Sequence, residues 1–210
     1  SAFLLNRSSD LVVFPDINAT YVGDLEGGNQ PGQTVEYPYE VCRMAVTSEN
    51  CQDIPVPGLT GTISYFPTDN VFLFQNCFIS AQPTDWTWVI VNNENVTDQS
   101  QPITVKLLGD NTFLNTGEAF SGTDITFMGA DPTATLTVVG RKKAVNSFGT
   151  FTVKGCALTL ASNERAAVSC NNMVVNNGGS VSMTTDAAGY CAAEIIQVGL
   201  EMTDGATITT

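Results

Sequence analysis

The chain has 210 residues, of which 43% are apolar and 14% charged, and it carries a formal net charge of −13 with no histidine. That length holds one large domain, and the mix of apolar and charged residues belongs to a folded chain, not a disordered one. The negative field excludes nucleic acid and anionic membrane as partners, because phosphate contacts need clustered Lys and Arg.

The chain opens "SAFLLNRSSD", with no basic n-region, so no signal peptide is visible and a processed or trimmed product is expected. Residues 1–38 contain "FPDIN" and "DLEGGNQPGQT", a Pro-, Gly- and Asn-rich passage that reads as a cap or linker segment. From residue 39 to 210 the pattern changes. Short β-branched and aromatic runs recur, among them "GTISYF", "NVFLFQN", "WTWVIVNN", "PITVKLLG", "ATLTVVG", "GTFTVKG" and "SVSMTT". Each is closed by Gly, Asn, Asp or Pro, which predicts strands and turns. Only "GEAFSG" and "GYCAAEIIQ" have the composition for a helical turn.

Many runs come as doublets: strand, short turn, strand. "ITFMGADPTATLTV", "GTFTVKGCALTL", "MVVNNGGSVSMT" and "LEMTDGATIT" are four of them. Their first apolar residues, with that of the preceding unit, are Ile103, Ile125, Phe151, Met173 and Leu200, at steps of 22, 26, 22 and 27. Regular spacing with variable insertions predicts an all-β solenoid over 39–210, each coil adding one rung. The general rule for parallel crossovers makes it a right-handed parallel β-helix. The alternative is a β-sandwich of hairpins, since "NNGG" and "TDGA" are also hairpin turns. A solenoid needs covered ends, and the strand-like "ATITT" makes end-to-end self-association an expectation.

There are six cysteines, Cys42, Cys51, Cys77, Cys156, Cys170 and Cys191, and none forms a C-x-x-C pair. Cys42 and Cys51 are the nearest candidates for a local disulfide. "LFQNCFISAQ" and "TVKGCALTLAS" place Cys77 and Cys156 just after an Asn or Gly corner, between apolar residues. There a reduced cysteine packs as a small hydrophobe. Cys170 and Cys191, 21 residues apart, are expected to stack in the same way.

The ordered phrases "VTSEN" at 46–50, "GTISY" at 61–65, "NVFLFQNCFIS" at 70–80 and "ITVKLLGDNTF" at 103–113 resemble a recurrent opening of secreted β-repeat proteins of gut Bacteroidetes and Firmicutes. There the pattern reads V-T-S-x-N, then G-x-V-S-Y, then T-L-T-L-x-N-A-x-I. The resemblance implies a secreted or cell-surface module, carbohydrate-binding-like, with no catalytic residues to carry over. The Thr-, Ser- and Asn-rich composition points to the same location.

On that reading the partner is a glycan or a cell-surface protein. In "DWTWV", Trp86 and Trp88 lie two apart on a strand and so share a face, where indoles can stack on a sugar ring. Covering the core is the blander role for both. A structural spacer is the second reading, and a polysaccharide-active enzyme, lyase or glycoside hydrolase, the third. Its candidate acids are Asp110, Glu118, Asp124 and Asp131, with Arg141 or Lys143 as basic partner, but no spacing singles out a carboxylate pair. The lack of histidine removes the commonest general acid–base. No cofactor is implied, although calcium suits the oxygen-rich corners "TDNV", "GDNT" and "GADPT". "GRKKAV" reads as a solvated corner. Asn6, Asn18 and Asn95 head glycosylation acceptor triplets. No apolar run approaches the roughly 20 residues of a transmembrane helix.

Overall fold

Ile103, Ile125, Phe151, Met173 and Leu200 stand directly beside one another, each registered to the next across parallel strands. A computed structural model describes residues 11–16, 20–22, 34–36, 40–45, 52–54, 59–66, 71–80, 90–91 and 102–210. Among them are strands and turns only. The order begins with β1 (Leu11–Asp16), β2 (Thr20–Val22), β3 (Thr34–Glu36), β4 (Glu40–Ala45) and β5 (Thr60–Phe66). Next come β6 (Val71–Ser80), β7 (Ile90–Val91), β8 (Ile103–Leu108), β9 (Asp110–Gly122), β10 (Ile125–Gly129) and β11 (Thr135–Ser147). The last are β12 (Thr150–Lys154), β13 (Ala157–Ser162), β14 (Val168–Asn176), β15 (Ser180–Thr185), β16 (Ala193–Met202) and β17 (Thr207–Thr209).

From β6 onward the chain is a β-solenoid of three parallel faces. The first stacks the start of β6 on β8, β10, β12, and the ends of β14 and β16. The second stacks the end of β6 on the starts of β9 and β11, then β13, β15 and β17. The third stacks β7 on the ends of β9 and β11 and the starts of β14 and β16. The hairpin sandwich is not what forms: the doublets lie along one coil, and their strands pair with the coils above and below.

The alternation within each strand decides what is inside. In β12 Phe151 and Val153 are buried while Thr150, Thr152 and Lys154 are half-buried. A line of phenylalanines runs through the core. Phe120 meets Phe127 edge to face with ring centroids 4.9 Å apart, and Phe127 meets Phe151 at 6.0 Å. Phe113 and Phe74 lie 6.1 and 6.2 Å from Phe120. Each such ring contributes about 1.5–3 kcal/mol by leaving water.

The corner between the first and second faces explains the repeated cysteine phrase. Asn76 takes φ 50° before Cys77, and Gly155 takes φ 57° before Cys156. The chain turns there through the left-handed region, and the next side chain points inward. Both cysteines are buried and free, as is Cys170. Cys170 does not stack on Cys191. It is registered to Ile195, and Cys191 is exposed. The reason is where pairing begins: β16 starts at Ala193, registered to Val168, so Cys191 falls ahead of the paired strand.

The two helical-turn candidates are not helical. "GEAFSG" lies within β9, and "GYCAAEIIQ" passes from a turn into β16. "GRKKAV" lies in β11 at the corner between the second and third faces, where its register to β9 shifts on either side of Gly140.

The end of the stack that bears β5 is not built of coils. β5 runs antiparallel to β6, from Phe66 opposite Val71 to Thr60 opposite Phe78. Ile54 donates its N–H to the Ile63 carbonyl at 2.8 Å, and both side chains are buried. Farther back, β1 pairs antiparallel with β4 and meets β7 at Leu11 and Val91, and β2 pairs with β3. On the last described rung Ile196, Leu200 and Met202 are exposed. Among the described residues no helix is long and apolar enough to cross a membrane.

Candidate functional site

The outer side of the second face repeats one short phrase at each rung. After each corner come "DNT", "TLT", "ALT", "SVS" and "TIT", at residues 110–112, 135–137, 157–159, 180–182 and 207–209. The middle residues Asn111, Leu136, Leu158 and Val181 are buried, so the residues on either side point outward. Two ranks result. Thr112, Thr137, Thr159, Ser182 and Thr209 are registered neighbour to neighbour. So are Asp110, Thr135, Ala157, Ser180 and Thr207. A third rank follows with Ser80, Leu114, Val139, Ala161 and Thr184.

Asp110 is the only charged residue in the three ranks, and it accepts a hydrogen bond from the Thr135 hydroxyl at 2.8 Å. The rest are small hydroxyl or apolar side chains, half-buried or exposed. In a chain of net charge −13 such a face is set apart from its surroundings. The first face differs. Its outer rank Thr104, Thr126, Thr152 is flanked by Lys106, Met128 and Lys154.

Asn111 fixes where the second face begins. Its side chain is fully buried at the corner, where Oδ1 accepts the Cys77 N–H at 3.0 Å. Its Nδ2 donates to the carbonyls of Gly109 and Thr135, both at 3.2 Å. From that corner the register runs without a shift as far as Val139 on β11 and through all of β13 and β15.

The acids singled out from the sequence are tied into turns or into polar contacts. Asp131 accepts the N–H and the hydroxyl of Thr133, each at 2.7 Å, and these bonds hold its carboxyl below the usual range. Asp124 accepts the Thr150 N–H at 2.6 Å across the next corner. Arg141 pairs with Glu164 at 2.6 Å in solvent. Glu118 and Lys143 do come together: they are registered opposite each other on the third face and share Asn146. Asn146 Nδ2 donates to Glu118 at 2.6 Å, and Lys143 Nζ donates to Asn146 Oδ1 at 3.2 Å. The arrangement is an acid and a base joined through an amide.

Trp86 and Trp88 lie outside the described residues, as do Cys51 and the acceptor asparagines Asn6, Asn18 and Asn95. Among the described residues no three Asp, Glu or Cys side chains converge as a metal site. Burial pushes the Cys77, Cys156 and Cys170 thiols up to about 11, which keeps them protonated and inert at neutral pH.

The ladder face was not anticipated from the sequence. Aligning the doublets on their second strand exposes it, because Thr112, Thr137, Thr159, Ser182 and Thr209 then fall at steps of 25, 22, 23 and 27. No protein-family model, curated protein or solved structure matches the chain.

Proposed function

We propose that the chain is a non-catalytic extracellular or cell-surface module for adhesion or glycan contact, and that the outer second face makes the contact. The carrying observation is the unbroken, nearly uncharged ladder from Thr112 to Thr209. A hydroxyl that finds a new hydrogen-bond partner on contact costs far less to desolvate than a charged group. Such a face, built on parallel strands of which all but β17 are paired on both edges, is pre-ordered and loses little conformational entropy on contact.

The test is a glycan array and sedimentation with insoluble polysaccharides, using the purified chain. Three proteins are compared: the wild type, a Thr137→Lys, Thr159→Lys double variant, and a Trp86→Ala, Trp88→Ala double variant. Binding abolished by the threonine substitutions supports contact through the ladder. Binding abolished only by the tryptophan substitutions keeps the module and moves its site. A folded wild type that sticks to none of these surfaces, and to no ice crystal, overturns the reading in favour of a structural spacer.

A further inference from the structure

We infer that the outer second face is an ice-binding surface. The inference rests on the reading of that face as the contact site, and it names the surface contacted.

The two leading ranks form a grid, with neighbours about 4.7–4.9 Å apart between rungs and about 6.6–6.8 Å apart along a strand. Thr112, Thr137, Thr159 and Thr209 occupy four of the six registered positions in one rank, Ser182 keeps the hydroxyl at a fifth, and Phe78 ends the rank on β6. Thr135, Ser180 and Thr207 carry hydroxyls in the other. A small soluble ligand finds the same contact at rung after rung, so this grid gives it no unique pose. A surface that repeats in two directions makes every contact at once.

The chemistry narrows which surface. Sugar rings are gripped by aromatic platforms. The grid holds no aromatic residue, and Phe78, 46% exposed, stands beyond its first rung next to Thr112. Polyanions and anionic membranes are repelled by the chain's net charge. What remains is an uncharged lattice of hydrogen-bond donors and acceptors, and crystalline water is one. The oxygen rows on a face of crystalline ice likewise repeat in two directions, at spacings of a few ångströms. Threonine suits such a surface. Its branched Cβ restricts χ1, so each rung presents its hydroxyl and methyl in a restricted set of orientations. The hydroxyl joins the water lattice, and the methyl lets ordered water fill the trough between the ranks. Lys106 and Lys154 interrupt the first face beside its own threonine rank, so the first face lacks the uncharged area.

The experiment uses the full chain and measures ice-crystal shaping and the gap between melting and freezing points. The wild type is expected to facet ice and to open a gap that grows with protein concentration. Thr137→Lys and Thr159→Lys, each in the middle of the grid, are expected to abolish both effects while circular dichroism and melting temperature stay those of the wild type. Thr126→Lys, on the first face, is expected to keep them. A folded wild type with no shaping and no gap overturns the inference, and so does a gap that survives Thr137→Lys with Thr159→Lys. If ice is untouched but sedimentation with an insoluble glycan is lost in the same double variant, adhesion through the ladder stands and ice is rejected as its ligand.

Discussion

The backbone N–H of Cys77 donates to Oδ1 of Asn111 at 3.0 Å, between residues 34 apart in sequence. This bond joins two successive coils at the corner where the chain leaves the first face for the second. Asn111 is fully buried, and its Nδ2 serves the Gly109 and Thr135 carbonyls. Asn111→Leu conserves volume but leaves the Cys77 N–H without an acceptor. An unsatisfied buried group costs about 1–3 kcal/mol, so the unfolding free energy is expected to fall by that amount, seen as a lower urea midpoint with the slope unchanged. An unchanged midpoint would mean that the ladder pairing alone holds the corner.

Phe120 sits where four phenylalanines meet, 4.9 Å from Phe127 and about 6 Å from Phe113 and Phe74. Phe120→Ala opens a cavity between stacked coils, and the expected loss is about 3–5 kcal/mol. Phe78→Ala removes a ring that is 46% exposed, and it is expected to lie within about 0.5 kcal/mol of the wild type. Denaturant titration of both variants separates core from surface, and similar losses would contradict the assignment of Phe120 to the core.

The coil itself was legible from Ile103 to Leu200, because one apolar residue must enter the core at the same point of each turn. Steps of 22, 26, 22 and 27 survive variable insertions, since the insertions fall at corners. The direction of β5 was legible in principle as well. Only four residues, "PTDN", separate "GTISYF" from "VFLFQN", and a parallel crossover needs about a dozen or more. The mismatch of Cys170 with Cys191 was not legible. It depends on where β16 begins to pair, with Ala193 beside Val168, which leaves Cys191 ahead of the strand. The ladder face was hidden for a different reason. Its residues are outward Thr, Ser and Ala, which β-propensity explains without function. Only their register across rungs makes them a surface.

Gly129 and Gly155 are expected to respond differently to alanine, although they are neighbours at one corner. Gly155 has φ 57° and the added Cβ has room, its nearest neighbour being the Asn177 carbonyl oxygen at 3.5 Å. Gly155→Ala therefore costs left-handed strain alone, about 1–2 kcal/mol. Gly129 has ordinary φ, but its Cβ would fall on the Gly155 carbonyl oxygen of the next coil. Backbone cannot yield there without parting two rungs, so Gly129→Ala is expected to be the more damaging, by overpacking. Thermal melts of the two variants decide it, and the reverse order would show that the coils separate more readily than the corner bends.

The three buried thiols predict how stability depends on alkaline pH. Cys77, Cys156 and Cys170 are pushed up to about 11 in the folded chain by desolvation, against an ordinary value of 9.0. Below pH 9 both states hold the proton, and no dependence arises from these groups. Between about 9 and 11 the unfolded chain releases protons that the folded chain keeps, so stability falls as pH rises. The loss should be complete once pH passes the folded values. A variant with all three replaced by alanine starts less stable, but its melting temperature should decline less between pH 8.5 and 10.5 than that of the wild type. Equal declines would show that other groups govern the alkaline limb. The exposed Cys191 supplies an internal comparison in the native wild type: at pH 8 a thiol reagent should label it promptly and the buried three only after unfolding.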